Sequence, residues 1–268
     1  MNGQVAHAYE VEAFNTAAAS ENKIHDDSVA QKFGFVGALV PGVEVYAYMA
    51  HMPVARWGRD WLERGSAECR FLKPVYDGAL ARVTAQESGE GLSLEATSGG
   101  VLCATGRADL LAPATPPDVN ALPCATPPAE RPKASEATLA PGATLGLTPT
   151  TIDRAALAQY LSDIRETDPI YLRDGVVHPG QILRLCNAAL VQSVMLGPWI
   201  HVGSRVRNFG VARVGQQMTL RNRISSNTIS KGHAIVEFDA LVVVDGVQVV
   251  AQIVHTAIWR PRHVTEAA

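Results

Sequence analysis

The chain lacks the marks of several protein classes. Its four cysteines (Cys69, Cys103, Cys124, Cys186) are scattered. They form no CxxC or Cys/His ligand spacing, so they read as reduced apolar fillers rather than a metal site or a disulfide framework. No apolar run approaches the roughly 18–20 residues that a membrane helix needs. The longest candidate, residues 182–196, is interrupted by Arg184, Asn187 and Gln192 and reads as a buried helix of a soluble protein. Residues 1–19 hold no basic stretch followed by an apolar one, so no secretory signal and no membrane partner are expected, and the chain reads as cytoplasmic. Charge is scarce, at 18 %, and nearly balanced, at −3, without a basic patch, which argues against nucleic acid. A Gly-rich phosphate loop, a G-x-S-x-G elbow and a Cys/His dyad are all missing. His51, His201, His233 and His255 show no ligand spacing, so neither a metal nor another cofactor is expected.

What is present is a 268-residue chain, 47 % apolar, long enough for one large domain or two ordinary ones. Residues 112–149 hold nine of the sixteen prolines, which excludes a helix or a central strand there and reads as an extended linker that could wrap over the surface. The flanks, 1–111 and 150–268, look alike. Pro41-Gly42 opens an apolar helix over residues 43–57, and Pro179-Gly180 opens another over about residues 181–196. Apolar residues surround much of each helix, so each is buried. Strand-like runs follow in both halves. Ser98-Gly99-Gly100 closes one hairpin and Asp245-Gly246, a type I′ signal, the other. Ala234, Val236, Phe238, Ala240 and Val242 alternate with Glu237 and Asp239, as on a half-buried strand. A long antiparallel sheet around one buried helix, made twice, is the simplest α+β arrangement: a tandem hotdog.

Residues 20–42 read SENKIHDDSVAQKFGFVGALVPG. Asn22, Ile24, His25, Asp27, Ala30, Gly34-Phe35 and Val40-Pro41-Gly42 fall in the order and spacing of D-x-N-P-[IL]-H-x-D-x-x-x-A, then G-F and V-x-[HP]-G. On these residues the chain resembles the MaoC-like (R)-specific enoyl-CoA hydratases, the hydratase-2 family, in a double hotdog with a degenerate motif. The resemblance implies water addition to, or removal from, an acyl-CoA or carrier-protein thioester in fatty acid metabolism, a lyase reaction. His25 would then be the acid/base, Asn22 would orient it or the substrate, and Gly42 N–H would hold the enolate oxygen, with Pro41 and Phe35 lining the acyl site. Two positions depart from the motif. The family's Asp is Ser20 and its Pro is Lys23. A serine hydroxyl lacks the basicity of a carboxylate, and losing one acid/base partner costs on the order of 10²–10⁴ in rate. Ser20 itself, or Glu21 through a shifted backbone, would have to complete the water site. Asp27 reads as the N-cap of residues 28–33 and Asp26 as a solvated charge.

The second half carries a weaker echo, ETDPIYLRD at residues 166–174, with Tyr171 at the His position. Only eight residues separate Tyr171 from Pro179, against sixteen between His25 and Pro41, so the segment that carries the chemistry is shortened. This half is expected to complete the sheet as a pseudo-dimer within one chain and to shape the acyl pocket. Tyr171 and His178 are candidates for that task, although each reads more readily as a structural residue. A homodimer of two such chains stays open as a further pairing. Arg205, Arg207, Arg213, Arg221 and Arg223 lie near one strand pair, as phosphate contacts or as a solvated face. Two other functions remain open: an acyl-CoA thioesterase using Glu44, which reads more readily as a charge stabilised by the helix dipole, and a non-catalytic protein that binds an acyl thioester or another apolar ligand.

Overall fold

A proline ring has no N–H to donate and fixes φ near the value a first helical turn needs, so Pro-Gly after an extended segment starts a helix abruptly. The computed structural model, which describes residues 7–262, has such a start in each half. In chain order the first half runs β1 (His7–Glu12), a 3₁₀ turn (Lys23–His25), α1 (Asp27–Lys32), α2 (Gly42–Trp57), α3 (Arg59–Arg64), β2 (Gly65–Phe71), β3 (Leu80–Ser88), β4 (Gly91–Ser98) and β5 (Val101–Leu110). The second runs β6 (Thr150–Thr151), α4 (Arg154–Asp163), α5 (Ile170–Asp174), α6 (Pro179–Ser193), β7 (Ile200–Asn208), β8 (Gln217–Ser230), β9 (His233–Val244) and β10 (Gln248–Arg260).

Among the described residues, ten strands form one antiparallel sheet, ordered β1-β3-β4-β5-β2-β7-β10-β9-β8-β6. The order reads the same from either end once β1 is matched with β6, β3 with β8, β4 with β9, β5 with β10 and β2 with β7. The seam is the β2–β7 pair, in register from Ser66 opposite Arg207 to Arg70 opposite Gly203. Each half-sheet packs on one long helix, α2 or α6, and the chain is a double hotdog of the α+β class. Helix α2 is buried along nearly its whole length, from Val43 to Val54. On β9 the alternating residues Ala234, Val236, Phe238, Ala240 and Val242 all face the core. The Asp245-Gly246 turn has both residues at positive φ, 50° and 74°, as a type I′ hairpin requires. Helices α2 and α6 touch, and Gly180 lets them come close. A side chain there would collide with Ala47 and with the Tyr160 hydroxyl. Among the described residues no helix is long and apolar enough to cross a membrane.

Residues 111–149 contain no helix or strand, only isolated bridges such as Cys124 to Arg221. The segment is extended but also packed, because Leu139, Leu145 and Leu147 enter the core. Asn222 pairs with the Leu145 backbone in both directions, at 2.8 and 2.7 Å. This strap also corrects the expected end of the second helix. Helix α6 stops at Ser193 because Met195 pairs with the strap instead, its N–H donating to Pro132 and its carbonyl accepting from Ala134.

Candidate functional site

The segment between β1 and α2 lies over the start of α2 and brings His25 to it. Ile24, Ala30 and Leu39 bury themselves together as a small apolar cluster, which accounts for the spacing of these residues in the motif. The aspartates divide their work differently from the expectation. Asp26 is the N-cap of α1, accepting from Ser28 N and Val29 N, because the helix begins one residue earlier than read. Asp27 instead accepts from Ala38 N at 2.6 Å and ties α1 to the approach of Leu39–Gly42. Asn15, held by Asp77, donates to the His25 carbonyl at 3.0 Å.

The His25 ring has a defined tautomer. Its Nδ1 lies 2.6 Å from the Leu39 carbonyl, which can only accept, so Nδ1 carries the hydrogen and Nε2 presents a lone pair. Asn22 Nδ2 sits 3.3 Å from that Nε2. Burial lowers the His25 pKa from its ordinary value, and the bond to Leu39 only partly offsets this. Asn22 has a second task. Its carboxamide pairs with the Trp199 backbone, donating to O at 3.0 Å and accepting from N at 3.2 Å, and so anchors the segment to the second half.

Two cavities meet at this point, and Asn22, His25, Pro41, Asn187 and Trp199 line both. One, of about 250 Å³, is largely apolar, with Phe35, Leu39, Gly42, Val45, Phe71 and Val75 in its wall. The other, of about 400 Å³, is more open and has more polar and charged residues in its wall, among them Thr16, Ser20, Glu21, Arg131, Arg184 and Gln192; it is called the polar cavity for these residues. Gly42 begins α2, where first-turn N–H groups have no acceptor within the helix and the positive end of its dipole lies. A side chain at Gly42 would press within 3.0 Å of both the Phe71 ring and His201 Nδ1.

The structure brings together Ser20, Glu21, Asn22, His25, Phe35, Pro41 and Gly42 from the sequence-derived candidates. The Glu21 carboxylate is engaged by Arg131 of the strap, at 2.9 and 3.3 Å. Tyr171 and His178 do not reach either cavity. Both are fully buried in the second half, where His178 caps α6 by accepting from Gly180 N at 3.0 Å. The space beside Pro179, Val177 and Leu183, which matches the apolar cavity beside Pro41, amounts to about 20 Å³. Glu166, at the position of the family's Asp in this half, is bonded to His51 at 2.9 Å. Against the effect of burial, His178 and His51 hold its carboxyl well below the usual carboxylate range. The arginines from Arg205 to Arg223 line neither cavity. Arg205 and Arg207 face outward, and Arg213 and Arg221 donate to the Asp174 and Leu122 carbonyls. Among the described residues no group of three His, Cys, Asp or Glu side chains is placed to hold a metal ion.

Glu44 is fully buried and both oxygens are occupied, one by Arg184 at 2.7 Å and Thr16 at 3.0 Å, the other by Tyr160 at 2.9 Å. It ties α2 to α6 and to α4. Removing one partner of such a pair leaves a buried charge uncompensated. Arg184→Met is therefore expected to destabilise the protein by about 3 kcal/mol, the low end of the range for broken buried pairs, because the two hydroxyl donors remain. The urea midpoint should fall at unchanged m-value, and a midpoint equal to wild type would refute the assignment.

No motif in the sequence marks Asn187, Trp199 or His201 as site residues. His201 lacks ligand spacing, yet it stands beside Gly42, its Nε2–H facing the Gly203 carbonyl at 3.1 Å and its Nδ1 bare. Burial pushes its pKa down to about 3, so it is neutral. A signal for Asn187 did exist. Arg184, Asn187 and Gln192, the polar residues that interrupt an otherwise apolar helix, all line the polar cavity.

No protein-family model and no curated protein sequence matches the chain. Solved structures do match it. A protein described as a MaoC domain dehydratase, from Chloroflexus aurantiacus J-10-fl, superposes with a TM-score of 0.65 at 15 % identity, over 97 % of this chain and 95 % of that one. A conserved hypothetical protein from Mycobacterium tuberculosis, described as having a double hotdog fold, gives 0.64 at 14 % identity, over 94 % and 96 %. A protein described as an oleoyl thioesterase, from Lactobacillus plantarum, gives 0.54 at 9 % identity, over 98 % of each chain. At these identities the likeness is one of fold.

Proposed function

We propose that the chain hydrates an enoyl thioester, or dehydrates the corresponding 3-hydroxyacyl thioester, at the junction of the two cavities. The observation that carries this reading is the placing of a neutral His25, whose Nε2 lone pair is met by Asn22 Nδ2 at a long 3.3 Å, and the N-terminus of α2 at Gly42 in one apolar cavity. The dehydratase described from Chloroflexus aurantiacus, with the same fold, is consistent with it. In the hydration direction His25 Nε2 takes a proton from water as the water oxygen bonds to the β-carbon. The C=C electrons move toward the thioester oxygen, and the enolate so formed is held by the Gly42 N–H and the helix dipole. The proton on Nε2 then passes to the α-carbon, which leaves a 3-hydroxyacyl thioester and neutral His25. Asn22 keeps the ring facing the cavity, and Phe35 and Pro41 flank the acyl chain. Ser20 and Glu21 lie at the polar mouth. The thioester is one of coenzyme A or of a carrier protein.

The test is incubation with short and medium trans-2-enoyl-CoA, following enoyl absorbance beside a thiol reagent. Loss of absorbance without free thiol supports hydration, and release of thiol supports hydrolysis. Since the His25 pKa is lowered, its base form persists through neutral pH. Protonation removes the base, so kcat/KM is expected to stay level near pH 7 and to fall only below the ordinary histidine value of 6.5. An acid limb centred above 6.5 would contradict His25 as the base. A second reading, binding of an acyl thioester without turnover, is favoured by one observation. The carboxylates nearest the site, Glu21 and Glu44, are both committed to arginines. Saturable acyl-CoA binding with neither product would establish it.

A further inference from the structure

Six buried side-chain polar atoms among the described residues have no hydrogen-bond partner, and three of them belong to residues lining the apolar cavity: Asn187 Oδ1, Trp199 Nε1 and His201 Nδ1. All three come from the second half. Leaving such atoms unpaired in the protein is costly, so their concentration at one place marks where a polar molecule is handled. Addition of water needs two acceptors, one for the proton that is removed and one for the O–H that remains, so that the oxygen lone pair faces the β-carbon. His25 Nε2 is the first. The motif position that would supply the second is Ser20, which lacks a carboxylate.

We propose that Asn187, on α6, supplies that second acceptor and orients the reacting water, so that the site is assembled from both halves. This rests on the hydration reading above. Trp199 Nε1–H is a donor and has the wrong sign for the task. His201 Nδ1 is an acceptor but lines only the apolar cavity, beside Gly42, whereas Asn187 lines both cavities together with His25 and Asn22. The neighbours of Asn187 are otherwise satisfied: Arg184, one turn earlier, is held by Glu44 and Thr16. At the matching place in the first half, seven residues after the glycine behind the helix-opening proline, stands Met49, apolar and buried against Gly106. A carboxamide here is thus confined to the helix that faces the open site. Asn187 exchanges no proton. It accepts a hydrogen bond from the O–H that stays on oxygen and becomes the product hydroxyl.

Asn187→Leu and Asn187→Asp separate this role from packing. Leucine keeps the volume and removes the acceptor, and aspartate keeps acceptor oxygens. For hydration of a trans-2-enoyl-CoA, Asn187→Leu is expected to lower kcat about 10- to 100-fold, the loss of one hydrogen bond to the reacting water, with KM within about twofold of wild type. Its melting temperature should not fall, because an unpaired carboxamide is replaced by an apolar group. Asn187→Asp should keep turnover near wild type and move the acid limb of kcat to higher pH, since a carboxylate beside His25 favours its charged form. Asn187→Leu turning over like wild type, or Asn187→Asp as slow as Asn187→Leu, overturns the proposal. His25→Ala run alongside separates the two levels. If the wild type hydrates and His25→Ala does not, a normal Asn187→Leu refutes Asn187 alone. If the wild type forms no hydrated product, the hydration reading falls and Asn187 falls with it.

Discussion

Replacing His25 by alanine is expected to lower kcat for hydration of trans-2-enoyl-CoA on the order of 10²–10⁴-fold, the usual worth of a positioned acid/base. The ring is the one group at the cavity junction whose tautomer is fixed so that a lone pair faces inward. The fold should survive. The link from Asn15 to this residue uses the His25 carbonyl, which alanine retains, and the tie to the second half runs through Asn22. What the variant loses structurally is the bond to the Leu39 carbonyl, on the order of 1 kcal/mol, and the longer contact with Asn22 Nδ2. Saturated acyl-CoA, which cannot react, should still bind, because the apolar wall from Leu39 to Val75 is untouched. The measurement is the initial rate of enoyl loss beside a calorimetric Kd for butyryl-CoA. A rate within a few-fold of wild type would remove His25 from the mechanism, whereas lost binding would recast it as a structural residue.

Ser20→Asp is expected to act in the opposite direction. Ser20 lines the polar cavity with Asn22 and His25, and its hydroxyl donates to the Asn22 carbonyl at 3.4 Å. A carboxylate there would accept from the water and raise the His25 pKa toward neutrality, which improves its return of the proton to the α-carbon. Rate gains of up to about 10²-fold are expected, below the full worth of an acid/base partner because Asn187 would already meet part of the water's demand. The acid limb of the pH profile should move to higher pH in the same variant, since a neighbouring negative charge favours the imidazolium. A rate and a profile both equal to those of wild type would show that position 20 does not face the reacting water.

The sequence carries the outline of the molecule because the relevant signals are short-range. A Pro-Gly step, an Asp-Gly turn and the alternation from Ala234 to Val242 depend on backbone chemistry a few residues long, and each forms the element expected of it. The spacing of Asn22, Ile24, His25 and Ala30 marks the candidate site for the same reason, being set by one turn and one short helix. The capping of α1 shows the limit of such reasoning. Two adjacent aspartates compete, and which one caps is settled by a one-residue register that pattern alone does not resolve.

The sequence by itself determined the two halves, the helix that each buries, and the place of His25 and Gly42. Only the tertiary structure decided which half is open. The cavity beside Pro41 holds about 250 Å³, while the matching space beside Pro179 holds about 20 Å³, with the Tyr160 hydroxyl against Gly180. Only it decided that Glu21 and Glu44 are committed to arginines on the strap and on α6, and that Asn187, Trp199 and His201 face a histidine far away in the chain. The reason is physical. Backbone conformation follows from neighbours in sequence, but the partner of a side chain is set by whichever surface packing brings within about 3 Å, the reach of a hydrogen bond.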